Sequence, residues 1–136
     1  MTKKENKIFL GGTCNDDTWR DKLIPLIQVA YFNPVVEDWT EECIEIENIE
    51  KEQRCNIHLY LITSLMSGVY SIAEAVDSVS NYPNKTTIFH IIPDGFSQGQ
   101  LRSLSAVCKI IRGKGGIAYI DEELRRTAIV LSFAFT

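Results

Sequence analysis

A glutamate that follows a loop of small residues is the first group in this chain that could do chemistry. Glu74 lies near the start of a segment with helical periodicity, three residues after Ser71, and the apolar run Ile57–Ile62 precedes the loop. A carboxylate at the carboxyl end of a buried strand is a frequent element of ligand sites in α/β sheets, where it can act as nucleophile or general base. The spacing Ser71-x-x-Glu74 equally fits a capping box. Both roles can coexist, because a helix N-terminus favours an ionised carboxylate by about 0.3–1 kcal/mol.

Small, acidic and aromatic residues surround this position in the predicted fold. Gly11-Gly12 ends the first apolar strand and either lets a ligand approach the backbone or makes a tight turn. Asp38-Trp39 suits a sugar hydroxyl beside a stacked base, and equally a core tryptophan with an acid at a helix start. Met66 and Tyr70 either line the same pocket or only pack.

Histidines and cysteines are interpreted as structural. His58 and His90 lie inside predicted strands, and we expect core residues with satisfied hydrogen bonds. Cys14 is near a helix start, which could lower the pKa of its thiol, but no histidine is close in sequence, so a small buried residue is favoured. Four cysteines without a C-x-x-C pair predict neither a metal site nor a redox motif, and no cofactor is expected.

Composition and charge limit the partners. The net charge of -4, without a lysine or arginine cluster, argues against a nucleic-acid polymer and gives no attraction to an anionic membrane. The N-terminus lacks the apolar core of a signal peptide, and no apolar run approaches the roughly 20 residues that cross a bilayer. We therefore expect a reduced, cytoplasmic protein with a small-molecule ligand.

Strand-like and helix-like segments alternate along the chain. The helix after the first strand is predicted to begin after Asn15 and to break at Pro25. The segment 127–136 fits either a helix or a strand, and its apolar residues predict cover by a second subunit. The strands are predicted at 7–10, at 31–36 around Pro34 as an edge strand, and at 56–62, 86–92 and 117–120.

Thr40 is predicted to cap the second helix. Its buried stripe is expected at Cys43, Ile46 and Ile49, while Glu45, Glu47, Glu50, Lys51 and Glu52 mostly face water. The third helix is predicted over 71–81. The fourth carries an apolar stripe from Leu101 to Ile111, and Asp121 caps a fifth that begins at Glu122.

Five βα units joined by short links predict one domain over residues 1–136. The expected architecture is a flavodoxin-like or Rossmann-like α/β domain with a five-stranded, mostly parallel sheet in the order 2-1-3-4-5 and helices on both faces. That order places a crevice between the first and third strands, at their carboxyl ends. The loops 11–15 and 63–70 border it, and 37–39 lies at the same edge.

Four segments together resemble the nucleoside 2-deoxyribosyltransferase-like family. They are Ile8–Asn15 with Trp19-Arg20, Tyr31–Trp39, Leu59–Thr63 and Gly68–Glu74, and the resemblance covers roughly residues 7–104, which is most of a domain of ordinary size.

The resemblance implies cleavage of the N-glycosidic bond of a (deoxy)nucleoside or nucleotide. The family glutamate attacks the anomeric carbon, as in retaining glycosidases, and water or a second base then takes the sugar. Glu74 matches that glutamate. Family enzymes borrow residues from a neighbouring subunit, so a homodimer or higher homo-oligomer is expected. The expected substrate-binding residues are Gly11, Gly12, Thr13, Asn15, Asp38, Trp39, Met66, Gly68, Tyr70 and Ser71.

One position departs from the family pattern. Well-studied members carry an aspartate six residues before the glutamate, where this chain has Gly68 with Ser67 beside it. Three hypotheses follow: a transferase or hydrolase that works through Glu74, a module that binds a nucleotide without turnover, and a purely structural flavodoxin-like domain.

Overall fold

Five parallel strands form one sheet in the order β2-β1-β3-β4-β5, which confirms the predicted topology. The computed structural model describes residues 6–14, 18–36, 38 and 40–134. The strands are β1 (Lys7–Gly12), β2 (Ala30–Phe32), β3 (Ile57–Ile62), β4 (Thr86–Ile91) and β5 (Ile117–Ile120). The helices are α1 (Trp19–Leu23), α2 (Glu41–Ile49), α3 (Tyr70–Asn81), α4 (Gln98–Gly113) and α5 (Arg125–Ala134).

The central strands β3 and β4 are apolar or β-branched along nearly their whole length because helices cover both faces of the sheet. On one face, Tyr60 and Phe89 pack with residues of α3 and α4. On the other face, Leu59 and Ile88 pack with residues of α1 and α5. The predicted doubly covered sheet is therefore present.

Strand β1 is longer than predicted because Gly11 and Gly12 belong to it rather than to a turn. They pair with Tyr60 and Leu61 of β3. A Cβ on Gly12, whose φ is +119°, would lie 2.1 Å from the carbonyl oxygen of Leu61. A Cβ on Gly11 would lie 2.8 Å from the Tyr60 ring. Close strand packing therefore requires both glycines.

The first helix and the second strand are shorter than the sequence pattern indicates. Helix α1 ends at Leu23, and Pro25 lies in the following 3₁₀ turn Ile24–Leu26, so the predicted break is confirmed. The predicted cap Asn15 lies outside the described residues. Strand β2 ends at Phe32, and Val35-Val36 after Pro34 does not extend it; β2 is an edge strand, as expected.

Helix α2 differs more clearly from the sequence-based prediction than any other described element. Thr40 caps it as expected, with Cys43 completing the capping box. The predicted buried stripe is wrong, because Ile46 is 50% exposed and Ile49 42% exposed. A π-helical turn, Glu50–Arg54, continues the helix. Glu50, expected to face water, is buried.

Helices α4 and α5 complete the two faces. Ser97 and Gln100 form a capping box, and the predicted stripe of α4 buries Leu104, Cys108 and Ile111. The ambiguous tail is helical through Ala134. Helix α5 begins at Arg125 rather than Glu122, because the Asp121 carboxylate accepts the Glu123 amide in a turn. Within the described ranges, no helix is long and apolar enough to cross a membrane.

Candidate active site

A cavity of about 590 Å³ opens at the carboxyl ends of β1 and β3, in the predicted crevice. Gly11 and Gly12 contribute backbone from β1, and Met66 and Gly68 contribute the loop after β3. Helix α2 with its π-helical turn and the start of α3 supply Glu47, Lys51 and Glu74, and α1 supplies Arg20. Its volume lies in the range of small-molecule sites.

Glu74 lies in the second turn of α3 and lines this cavity. Its carboxylate accepts a hydrogen bond from the ammonium of Lys51, and their side chains are 17% and 11% exposed. The predicted capping box with Ser71 is wrong: α3 begins at Tyr70, Val69 is its N-cap, and none of the described side chains caps it. The carboxylate is directed to a lysine instead of to the backbone.

The π-helical turn fixes Lys51 at this position. Its Nζ lies 4.9 Å from the centre of the Phe9 ring and 5.9 Å from that of Tyr60. Both rings attract the cation. The wider π-helical geometry, often found at functional sites, turns the Lys51 carbonyl toward the core.

His58 binds that carbonyl from inside the sheet. Its Nε2 lies 2.9 Å from the Lys51 oxygen, and its Nδ1 lies 2.8 Å from Oγ of Ser78. Burial lowers the pKa of His58 to about 4, so the ring is neutral near pH 7. Nε2 therefore donates to the carbonyl, Ser78 donates to Nδ1, and the Tyr60 hydroxyl donates to Ser78 at 2.8 Å. His58 is a satisfied core residue, as expected.

Lys85 holds the same turn from its other side. Its ammonium donates to the carbonyls of Lys51, Glu52 at 2.7 Å and Cys55 at 2.8 Å. A cation is favourable where helix carbonyls lack partners. Two side chains from outside α2, His58 and Lys85, therefore bind backbone carbonyls of the turn.

Glu47 lies one helical turn before Lys51 and also lines the cavity. The side chain is half-buried. Burial and the negative charge of Glu74 raise the pKa of Glu47, while Lys51 opposes this effect. Two carboxylates and one lysine thus share the charged part of the site.

Most of the predicted substrate-binding residues come together here. Thr13 is buried, and its Oγ1 accepts the Thr63 amide at 2.9 Å. Asp38 is exposed and is not among the described residues that line the cavity. Asn15 and Trp39 lie outside the described residues. The predicted residues that line the cavity are Gly11, Gly12, Thr13, Met66, Gly68, Tyr70, Ser71 and Glu74.

Two residues after β1 also border the cavity. Arg20 is buried and donates to the carbonyls of Leu10 at 2.9 Å and Thr13 at 2.8 Å. Cys14, expected to be buried, is exposed and lines the cavity beside Arg20. Its thiol donates to the Gly12 carbonyl at 3.4 Å, so the strand end holds it at the rim.

Sequence reasoning missed Glu47, Lys51 and Arg20. The signal for the first two was the spacing Cys43-x₃-Glu47-x₃-Lys51, which is a helical stripe as regular as that of the isoleucines. Among the described residues, no group of three His, Cys, Asp or Glu side chains could hold a metal ion.

Comparisons with known proteins agree with this geometry. A family model described as nucleoside 2-deoxyribosyltransferase like matches residues 5–91, which include strands β1 to β4 and the residues Glu47, Lys51 and Glu74. Searches of curated proteins and of solved structures gave no match. Since the matched segment is well over half of the chain, this chain belongs to the nucleoside 2-deoxyribosyltransferase-like family.

Proposed function

We propose that this protein cleaves the N-glycosidic bond of a (deoxy)nucleoside or nucleotide through Glu74. Membership of the family suggests glycosyl transfer on nucleosides. The observation that supports Glu74 as the nucleophile is its place in an open cavity, where its carboxylate pairs with the ammonium of Lys51. The ionised carboxylate is the form that can attack.

The reaction has two displacements at the anomeric carbon. An oxygen of Glu74 attacks C1′ while the bond to the base nitrogen breaks, through an oxocarbenium-like transition state. The product is a glycosyl ester on Glu74 and a free base. Water or a second base then attacks C1′ and releases the carboxylate.

The walls of the cavity suit such a substrate. Gly11 and Gly12 form part of the cavity wall through their backbone, which a sugar can approach closely. Met66 and the exposed Tyr70 offer an apolar surface on which a base can pack. We propose that Ser71, Thr13, Asn15 and Trp39 add polar and stacking contacts, whereas Asp38 is exposed and is not among the described residues that line the cavity.

The test is Glu74→Gln, assayed for base release from a panel of (deoxy)nucleosides and their monophosphates. We expect kcat to fall about 10³-fold or more, because the amide cannot form the ester. Glu45→Gln, an exposed position on α2, is the matched control. Undiminished turnover by Glu74→Gln would disprove the mechanism. Intact-protein mass spectrometry during turnover looks for the sugar adduct.

A binding module without turnover is the second candidate. Gly68, which stands where the family pattern has an aspartate, favours it. Recovery of intact, tightly held nucleotide after incubation supports binding, whereas free base supports catalysis. If no nucleotide shifts the melting temperature, a structural domain remains.

A homodimer or higher oligomer stays part of the proposal. Ile46 and Ile49 on α2 and the 84% exposed Phe133 on α5 present apolar side chains at the surface. Light scattering of the purified protein measures the mass in solution. A mass near 15.4 kDa at all concentrations would contradict this expectation.

A further inference from the structure

We propose that Glu47 is the second catalytic carboxylate of this site, and that Lys51 passes between Glu74 and Glu47 as negative charge moves from one to the other. The inference rests on the proposed function, since it assigns the group that protonates the leaving base. It also gives Lys51 a part in both displacements.

The geometry comes from α2 and its π-helical turn. Glu47 and Lys51 are four residues apart, so they are neighbours on one helix face, and both line the cavity that Glu74 lines. Lys51 binds Glu74 in the structure, and a rotation of its flexible side chain reaches Glu47.

Packing within the single chain does not account for this orientation of α2. The helix leaves Ile46 and Ile49 exposed, available to the proposed second subunit, while it turns Glu47 toward the cavity. Burying a carboxylate beside another carboxylate costs free energy. A functional role for the inward face explains why Glu47 nevertheless lines the cavity.

The two glutamates have different charged surroundings. The groups that act on Glu47 are Glu74 of α3, which favours its protonated form as burial does, and Lys51, which opposes them. Glu74 has the lysine as its direct partner. A pair of carboxyl groups whose surroundings separate them in this way is the usual arrangement of an acid and a nucleophile.

The first displacement then balances as follows. The Glu74 carboxylate bonds to C1′, the bond from C1′ to the base nitrogen breaks, and its electron pair stays on the base. The Glu47 carboxyl gives its proton to the base. Glu74 is now a neutral ester and Glu47 a carboxylate, so Lys51 turns from the first to the second.

The second displacement reverses these charges. The Glu47 carboxylate takes a proton from water while the water oxygen bonds to C1′ and the ester bond breaks. The sugar leaves, Glu74 is again ionised, and Lys51 returns to it. Glu47 thereby supplies the second carboxylate at a site where the loop position Gly68 has no side chain to offer.

The experiment compares two leaving groups in Glu47→Gln. One substrate is the best nucleoside of the panel, and the other is 4-nitrophenyl 2-deoxyriboside, whose phenolate departs without a proton. We expect kcat to fall about 10²–10³-fold with the nucleoside and less than about tenfold with the nitrophenyl substrate in single-turnover measurements of the first step. The basic limb of the pH profile with the nucleoside should disappear. Glu47→Asp, which keeps the acid, should restore part of the rate.

The possible outcomes separate the two proposals. Equal losses with both substrates, or no loss with either, would overturn the role of Glu47 while leaving that of Glu74 intact. An unchanged pH profile would do the same if the nitrophenyl substrate is not accepted. Full activity of Glu74→Gln, or wild-type protein that releases no base, overturns the proposed function and this inference with it. Glu45→Gln should match the wild type throughout.

Discussion

Two clusters, each made of a tyrosine, a hydroxyl residue and a buried histidine, lie on opposite faces of the sheet. In one, Tyr60, Ser78 and His58 form a hydrogen-bonded chain that ends on the Lys51 carbonyl. In the other, the Tyr119 hydroxyl lies 2.6 Å from Thr127, which lies 2.8 Å from Nδ1 of His90, and Nε2 of His90 lies 2.9 Å from the Asp121 carbonyl. We call them the His58 cluster and the His90 cluster.

Each cluster also has a cation beside its tyrosine ring, and the two cations pair with carboxylates in different places. Arg126 lies 4.9 Å from the centre of the Tyr119 ring and pairs with the Asp121 carboxylate at 3.1 Å. The backbone carbonyl of the same Asp121 is the one that His90 binds. Lys51 lies over Tyr60 and pairs with Glu74, which lines the cavity. The cation of the His90 cluster therefore pairs with a residue of its own cluster, whereas the cation of the His58 cluster pairs with a side chain of the cavity.

The largest contrast is expected from removing the two cations. Lys51→Met should lower kcat roughly 10²–10³-fold, because Glu74 loses the cation that pairs with it in the cavity. Loss of one partner of a mostly buried pair should also cost about 3–5 kcal/mol in the free energy of unfolding. Arg126→Met should leave kcat unchanged. Steady-state kinetics of both variants measures this, and equal effects would show that the clusters do not differ in function.

Removal of the central hydroxyl, Ser78 in one cluster and Thr127 in the other, should lower stability by similar amounts but lower activity in only one of them. Ser78→Ala and Thr127→Val each remove the hydrogen-bond partner of a tyrosine hydroxyl and of Nδ1 of a buried histidine, at a cost of roughly 1–3 kcal/mol in the free energy of unfolding. Only Ser78→Ala should also lower kcat, since His58 then holds Lys51 less firmly. Urea denaturation and kinetics give the two values. A loss of activity in Thr127→Val at temperatures where it is folded would contradict the comparison.

Acid should weaken both clusters. Burial lowers the pKa of both histidines, that of His58 to about 4, so below about pH 6.5 the unfolded chain takes up protons more readily than the folded protein does. The stabilisation is present above that pH and declines as the pH falls, for His58 by up to about 1.4 kcal/mol per pH unit. His58→Gln and His90→Gln should each remove one such contribution between about pH 6.5 and 5. An unchanged slope of stability against pH would contradict the buried neutral rings.

The smallest effect is expected at the loop glycines that follow β3 and β4. Gly95 has a φ of +86°, and a Cβ would lie 2.3 Å from Oγ of Ser64, so Gly95→Ala should cost about 1 kcal/mol or more. At Gly68, no described atom lies within 4 Å of an added Cβ, so Gly68→Asp should change stability by under about 0.5 kcal/mol. Thermal unfolding compares the two. If the added carboxylate in Gly68→Asp also raises base release, the family pattern at that position is functional.

The strand order could be predicted from the sequence because parallel strands buried on both faces have a simple pattern. The run Ile57–Ile62 and the run from Thr86 are apolar enough to be central, and Pro34 indicates an edge. The position of Glu74 beside the crevice follows from that order. For these elements, the residue pattern within each strand predicts the same place in the sheet that the structure shows.

The inner face of α2 could not be predicted, for a physical reason. A helix that covers a polar cavity turns charged residues inward, which reverses the usual rule that apolar stripes are buried. The sequence also has no signal for the π-helical turn, which depends on His58 and Lys85 from distant strands and turns. The capping box at Ser71 failed similarly, because Lys51 is a partner that local spacing does not reveal.

The contact between Gly12 and Leu61 restricts how this site can be altered. Any side chain at that glycine would push the first and third strands apart, so directed evolution of substrate range gains nothing from randomising the end of β1. The opposite wall is less restricted, because α2 also lines the cavity with Ile44 and Asn48, which have no part in the proposed chemistry. A library intended to accept bulkier bases should therefore vary residues 44 and 48 and keep Glu47, Lys51 and the glycines as they are.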